Sequence, residues 1–209
     1  NELTRPPMTA VGSRPATSRT SAIIDVVVVL PCAPATAMPW RRPWRFFRHL
    51  VTDRGTARRR FPDAALDRVE IAVADGERAH RGQVRFVVEP ALPLARVLAG
   101  LPPRERALEV FGLLGVWDTE DNCGVLVYVL LADRDVEIVA DRGIHRAVGT
   151  EAWEQACRTM EAAFREGRFG DGAEAGVRAI NALLTRHYPK TADAAGEDAN
   201  ELPDRPLVL

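Results

Sequence analysis

The sequence predicts an α/β/α sandwich around a small mixed β-sheet, and three observations carry that expectation. Residues 124–131, Gly-Val-Leu-Val-Tyr-Val-Leu-Leu, are a near-continuous apolar run, which suits a central strand covered on both faces. A short polar link, 132–135, leads into the β-branched stretch Val136 to Ala140, the strongest hairpin signal in the chain. A helical pattern separates this hairpin from an earlier strand-like segment, Gln83 to Glu89. Strands joined through a helix are expected to be parallel with a right-handed crossover. Helices on both faces of such a sheet make three layers.

Each element has a local reason. Pro62 precedes Leu66, Val69, Val73 and Ala74 at helical spacing, with Asp63 and Asp67 in the first turns. A proline there loses no needed N–H, and the acids face the positive end of the helix dipole. Gly76 and Gly82 break that pattern. Residues 83–89 (Gln-Val-Arg-Phe-Val-Val-Glu) are β-branched and aromatic, and Pro90 ends them. Pro102-Pro103 opens a second helix with Leu108, Phe111 and Leu114 in three-residue steps, widened by Val110 and Leu113. Thr150 is expected to cap a third, carrying Trp153, Cys157, Met160 and Phe164 on one face. A last helix carries Val177, Ile180 and Leu184, and Pro189 stops it. Proline is absent from Arg104 to Tyr188, which leaves room for long elements.

The near-neutral total of 28 basic and 29 acidic residues hides two unlike parts. Residues 1–60 hold eleven Arg against Glu2, Asp25 and Asp53, a net of +8, which leaves −9 for residues 61–209. The expected organisation is a non-native or disordered extension over 1–37, a basic aromatic arm over 38–60, a folded domain over 61–189, and a loose acidic tail over 190–209. Arg14, Arg19 and the apolar stretch Ile23 to Leu30 imitate a secretory signal, but Asp25 interrupts the stretch. Met38 is therefore read as the natural start. No apolar run approaches the roughly 20 residues of a membrane span. Cys32, Cys123 and Cys157 lack paired spacing, which argues against a disulfide framework or thiolate zinc site; Cys157 is expected as a buried thiol.

The hairpin geometry gathers the acids. If paired positions sum to about 267, Asp141 lies opposite the start of the central strand, where the loop Trp117 to Gly124 enters. Parallel strands begin at one end, so Glu77 and His80 reach the same edge. Asp118, Glu120, Asp121, Asn122, Asp141 and Glu77 could then offer the all-oxygen surroundings of a hard cation such as Ca²⁺. The bland alternative is a solvated acidic rim, and the loop lacks EF-hand spacing. The opposite edge holds Glu89, Asp133 and Asp135, where ligands of open parallel sheets usually bind, although the two aspartates are also ordinary turn residues. The four histidines are scattered, and no nucleophile triad, phosphate-cradling Gly loop or HExxH is present.

The segments Thr119-Glu-Asp-Asn122-Cys-Gly124 and Asp141-Arg-Gly143-Ile144 resemble the TPM domain family. Arg45-Phe-Phe-Arg-His49, Arg59-Arg-Phe-Pro62, Glu77-x-x-His80-x-Gly82 and His187-Tyr-Pro189 are similar to its soluble bacterial branch, over roughly 45–189. The resemblance implies an α/β/α sandwich and Ca²⁺ bound at the edge holding Asp118–Asn122 and Asp141. It also implies a role beside membrane proteins, LemA-type neighbours among bacterial copies, and acid phosphatase activity among plant relatives. Two positions depart from the family pattern: Cys123 stands where Asn is expected, and His145 where Glu is common.

Three functions follow as expectations. The favoured one is a non-catalytic Ca²⁺-binding interaction module at a membrane surface, cytoplasmic and peripheral to the inner membrane. Its contact residues would be Trp40, Arg41, Arg42, Trp44, Arg45, Phe46, Phe47 and Arg48, aromatics interleaved with arginines as in an interfacial anchor. The alternatives are a metal-assisted phosphatase using an Asp of the acidic edge, and a nucleic-acid contact through the arm, the least favoured. Against all three stands the reading that the arm's aromatics pack on the domain and its arginines cover acidic surface.

Overall fold

The computed structural model describes residues 27–31, 43–190 and 201–209. Among them, five strands form one sheet: β1 (Val27–Pro31), β2 (Gln83–Glu89), β3 (Gly124–Leu130), β4 (Asp135–Asp141) and β5 (Leu207–Val208). Their spatial order is β1-β4-β3-β2-β5. β2 runs parallel to β3, and β3–β4 is the antiparallel hairpin. β1 lies antiparallel to β4 at one edge, and β5 parallel to β2 at the other.

Eight helices are described: α1 (Pro43–Val51), α2 (Arg54–Arg60), α3 (Asp63–Glu77), α4 (Leu94–Leu98), α5 (Pro103–Leu113), α6 (Arg142–Val148), α7 (Thr150–Arg165) and α8 (Phe169–His187). β3 shows why the sheet needs two layers of them. Its Val125, Val127 and Val129 join a core with residues of α3, α7 and α8, while Leu126, Tyr128 and Leu130 join a second core with residues of α4 and α5. Alternating side chains are therefore apolar on both faces, and only helices on both sides remove them from water. The three-layer mixed α/β sandwich follows.

Several local expectations change. The hairpin pairs Val125 with Ala140 and Leu130 with Asp135, a sum of 265 rather than 267, so Asp141 falls level with Gly124. Gly149, not Thr150, is the N-cap of α7. Leu113 does not widen the buried stripe of α5; it is exposed, and Ala107 takes its place beside Val110 and Phe111. Cys157 is buried as expected but is disulfide-bonded rather than a free thiol, while Cys123 is free. Residues 201–209 are not a loose tail: Leu202 is buried and Leu207–Val208 extends the sheet. The disorder expected for 1–37 likewise does not hold at Val27–Pro31, which pairs with β4. The rest of 1–37 lies outside the described residues.

Gly76 does not break the first long helix; it sits inside it and is buried. A Cβ there would lie 2.1 Å from Cγ of Asn181 on α8. The missing side chain lets Asn181 Nδ2 donate to the Ala72 carbonyl at 2.7 Å, and its Oδ1 meets His80 Nε2 at 3.2 Å. Gly76→Ala is accordingly expected to destabilise the fold by about 1–3 kcal/mol through overpacking, read as a lower urea midpoint at unchanged slope.

Candidate docking helix and acidic edge

Asp53 caps α2 by accepting from the Thr56 N–H, and Thr52 N–H bonds back to Arg48 O, so α1 ends in a tight link to α2. The arm is thus two helices, and α1 has two opposed faces. Arg45 and His49, one turn apart, point inward. Arg45 is 1% exposed and its guanidinium clasps Asp133, Nε at 3.0 Å and Nη2 at 2.8 Å, with Nη2 also donating to the Leu101 carbonyl at 2.7 Å. His49 Nδ1 accepts the Leu92 N–H at 2.9 Å, which leaves Nε2–H to donate to Asp133 at 3.1 Å. One tautomer satisfies both bonds. Arg48 stands 3.7 Å from Asp133, beyond a hydrogen bond.

Burial raises the Asp133 carboxyl, but His49 and then Arg45 outweigh it and hold the group below its ordinary value. Phe46 packs partly into the second core. The outward face is apolar: Trp44 is 74% exposed, Phe47 56%, Leu50 58% and Val51 72%. The rings of Trp44 and Phe47 are 6.2 Å apart, forming one surface. Leu98 on α4, the helix packed beside α1, is also exposed. The expected contact residues therefore separate. Trp44 and Phe47 face solvent, Arg45 and Phe46 turn toward the domain, and Trp40, Arg41 and Arg42 lie outside the described residues.

The acidic edge is brought together only in part. Asn122 takes a left-handed conformation (φ 52°), and its carbonyl accepts the Ile144 N–H at 3.3 Å. Gly143 makes this approach possible, since a Cβ would come within 2.5 Å of that oxygen. Asp141 ends β4 and caps α6, with Oδ1 accepting the Arg142 N–H. Its Oδ2 is buried without a partner, and burial raises this carboxyl above its ordinary value.

The other expected ligands are engaged elsewhere or exposed. Asp121 pairs with Arg81 at 2.8 Å. Glu77 is buried and accepts the Val84 N–H at 2.8 Å; burial pushes it to about 8 despite that bond. Asp118 and Glu120 are exposed. Burial, then Asp121, pushes the Cys123 thiol up to about 12, so it is no thiolate donor at neutral pH. Among the described residues no three His, Cys, Asp or Glu side chains converge as a metal group. Of the six expected ligands only Asp141 presents a buried carboxylate oxygen without a partner; Asp118 and Asn122 lie exposed in the loop whose Asn122 carbonyl meets α6.

The opposite edge is a network that composition did not disclose. Glu89 accepts from the Tyr128 hydroxyl at 2.6 Å and from Arg106 Nε at 2.9 Å, and Asp133 is the α1 anchor. His49 was legible only as scattered; its four-residue spacing from Arg45 was the available signal.

A model of the TPM domain matches residues 59–183, more than half of the chain. The chain belongs to the TPM domain family. Its fold is similar to the NMR structure of BA42 protein from the psychrophilic bacterium Bizionia argentinensis, with a TM-score of 0.61 and 25% identity over 70% of this chain and 93% of that one. No curated protein matches. No described helix is long and apolar enough to cross a membrane.

Replacing Asp133 by Asn removes the carboxylate that the buried Arg45 clasps, and removing one partner of a buried pair costs about 3–5 kcal/mol. Because the folded carboxyl is depressed, its stabilisation is present above the unfolded value near 3.8 and is lost as pH falls through the folded value. Urea melts of wild type and Asp133→Asn should therefore differ strongly at pH 7 and converge as the pH drops below that range.

Proposed function

We propose that this TPM-domain chain is a non-catalytic interaction module that docks on an anionic membrane surface through the outer face of α1. The observation that carries the reading is the opposition of the two α1 faces. Arg45 and His49 tie the inner face to Asp133, while Trp44, Phe47, Leu50 and Val51 stay in water. A stripe of large apolar side chains on a secured helix is an interaction surface rather than unfinished packing. Charge favours an anionic partner: from Met38 to Arg60 there are eight Arg against Asp53 alone, and of the eight Arg45 is taken by Asp133. Aromatic rings beside arginines suit the headgroup boundary, where rings enter the acyl region and guanidinium groups meet phosphates.

The test is co-sedimentation with phosphatidylglycerol-containing vesicles and with phosphatidylcholine vesicles. Wild type binds the anionic ones more tightly. Trp44→Asp combined with Phe47→Asp lowers partitioning by about tenfold or more, since burying one such ring contributes on the order of 1.5–3 kcal/mol. Equal pelleting of a folded double variant sinks the reading.

A bound Ca²⁺ is the second reading, and one observation favours it: Asp141 Oδ2 is a buried carboxylate oxygen without a partner. A hard cation satisfies such an oxygen. Asp141 would hold it with oxygens of Asp118 and Asn122, and Ca²⁺ would supply charge neutralisation between α6 and the loop. Asp121 and Glu77 are left out, because Arg81 and the Val84 N–H occupy them. Metal-assisted phosphate-ester hydrolysis would run through the same Asp141, and no observation favours it over binding alone. Calorimetric titration of folded protein with CaCl₂ should give a saturable heat that Asp141→Asn abolishes. Hydrolysis of p-nitrophenyl phosphate should not respond to Asp118→Ala or Asp141→Ala. An unchanged heat in Asp141→Asn would contradict the site.

A further inference from the structure

Beyond the carboxyl end of β3, away from the acidic edge, lies a cavity of about 490 Å³. That is within the range of small-molecule sites, and the position is the one where open parallel sheets place their ligands. Its walls come from the end of α2, the β3–β4 turn, the end of α7 and the start of α8. They contribute Arg60, Arg134, Asp135, Phe164, Arg165 and Phe169.

Two features of these walls suit an anionic ligand. First, Arg60 and Arg134 act on each other as like charges. The Arg60 guanidinium is depressed by burial first and by Arg134 second. Among the described residues neither has a carboxylate partner; Arg60 instead lies 4.7 Å over the Phe169 ring. Arg134 is also held at a φ of +56°, a conformation that disfavours a side chain. The turn itself sets that backbone, Arg134 N–H donating to Leu131 O at 3.1 Å, and leaves the side chain exposed, open to phosphate or carboxylate, which guanidinium groups bind through parallel hydrogen bonds.

Second, part of the wall is aromatic. Phe164 and Phe169 stack with centroids 5.1 Å apart and planes 27° from parallel, and Phe61 meets both edge-on at 6.0 and 5.8 Å. Two acids also line the cavity: Glu161 pairs with Arg165 at 2.6 Å, and burial, then Asp133, raises Asp135 to about 7, which lessens its charge at neutral pH.

We propose that this cavity binds a small organic anion, a phosphate or carboxylate carried on a flat apolar group. Arg60 and Arg134 take the anion, and the Phe164–Phe169 wall takes the apolar part. The site is separate from α1 and from Asp141, so it stands whether or not the docking and Ca²⁺ readings hold.

Phenylphosphonate tests it without turnover, phenylacetate serves as the carboxylate arm, and benzyl alcohol as the uncharged control, each titrated into ¹⁵N-labelled full chain. Saturable shifts are expected in 129–136 and 161–169 with one or both anions, and whichever binds tighter identifies the anion class. Arg60→Gln and Arg134→Gly should each weaken binding by about tenfold, as for a lost charge-assisted hydrogen bond. Arg134→Gly also relieves the positive φ, so its melting temperature should stay equal or rise, which separates lost binding from lost fold. No saturable shift with either anion up to about 10 mM, equal binding by the arginine variants, or equally tight binding of benzyl alcohol would overturn the proposal.

Discussion

Asp133 determines what the N-terminal helices can be. It sits in the turn between β3 and β4 with its side chain 5% exposed, and it receives Arg45 and His49 together. A carboxylate buried so deeply is tolerable only when its oxygens are all but fully satisfied. The clasp therefore binds in both directions: α1 needs Asp133 to bury an arginine, and Asp133 needs α1 to remain ionised. With one face of α1 secured in this way, the opposite face, carrying Trp44, Phe47, Leu50 and Val51, is exposed.

The sheet's two ends then differ in kind. At the start of β3 the α6 cap leaves one carboxylate oxygen of Asp141 buried without a partner, the feature on which the Ca²⁺ proposal rests. At the other end, the turn that presents Asp133 to α1 also places Arg134 in the wall of one cavity with Arg60, Phe164 and Phe169, the site proposed for an anion. Neighbouring residues of one turn thus serve two purposes, Asp133 anchoring a helix and Arg134 charging a cavity. The near-neutral total charge conceals this sorting.

Much of the framework was legible because it is local. β2 spans the residues that β-branched composition marked, and the hairpin, the crossover and the parallel β2–β3 pair follow from run length and a polar link. The errors have a shared cause. β1 and β5 are edge strands whose partners lie more than a hundred residues away, so no period or turn signal announces them. Gly76 looked like a helix breaker because its reason is Asn181 on another helix. At the acidic edge the sequence could not show that Arg81 takes Asp121 or that Glu77 accepts the Val84 N–H of β2. Asp133 passed for a turn residue because its partners are 84 and 88 positions distant.

The central claim is that α1 is part of the folded domain in the absence of any partner. Hydrogen exchange of the free protein measures this directly at the amides of Phe47 to Val51. A helix clasped by Asp133 predicts protection approaching that of β3, because opening it would expose the buried Arg45–Asp133 pair. Exchange at the rate of an unstructured peptide would contradict it and return residues 43–51 to the status of a loose basic arm.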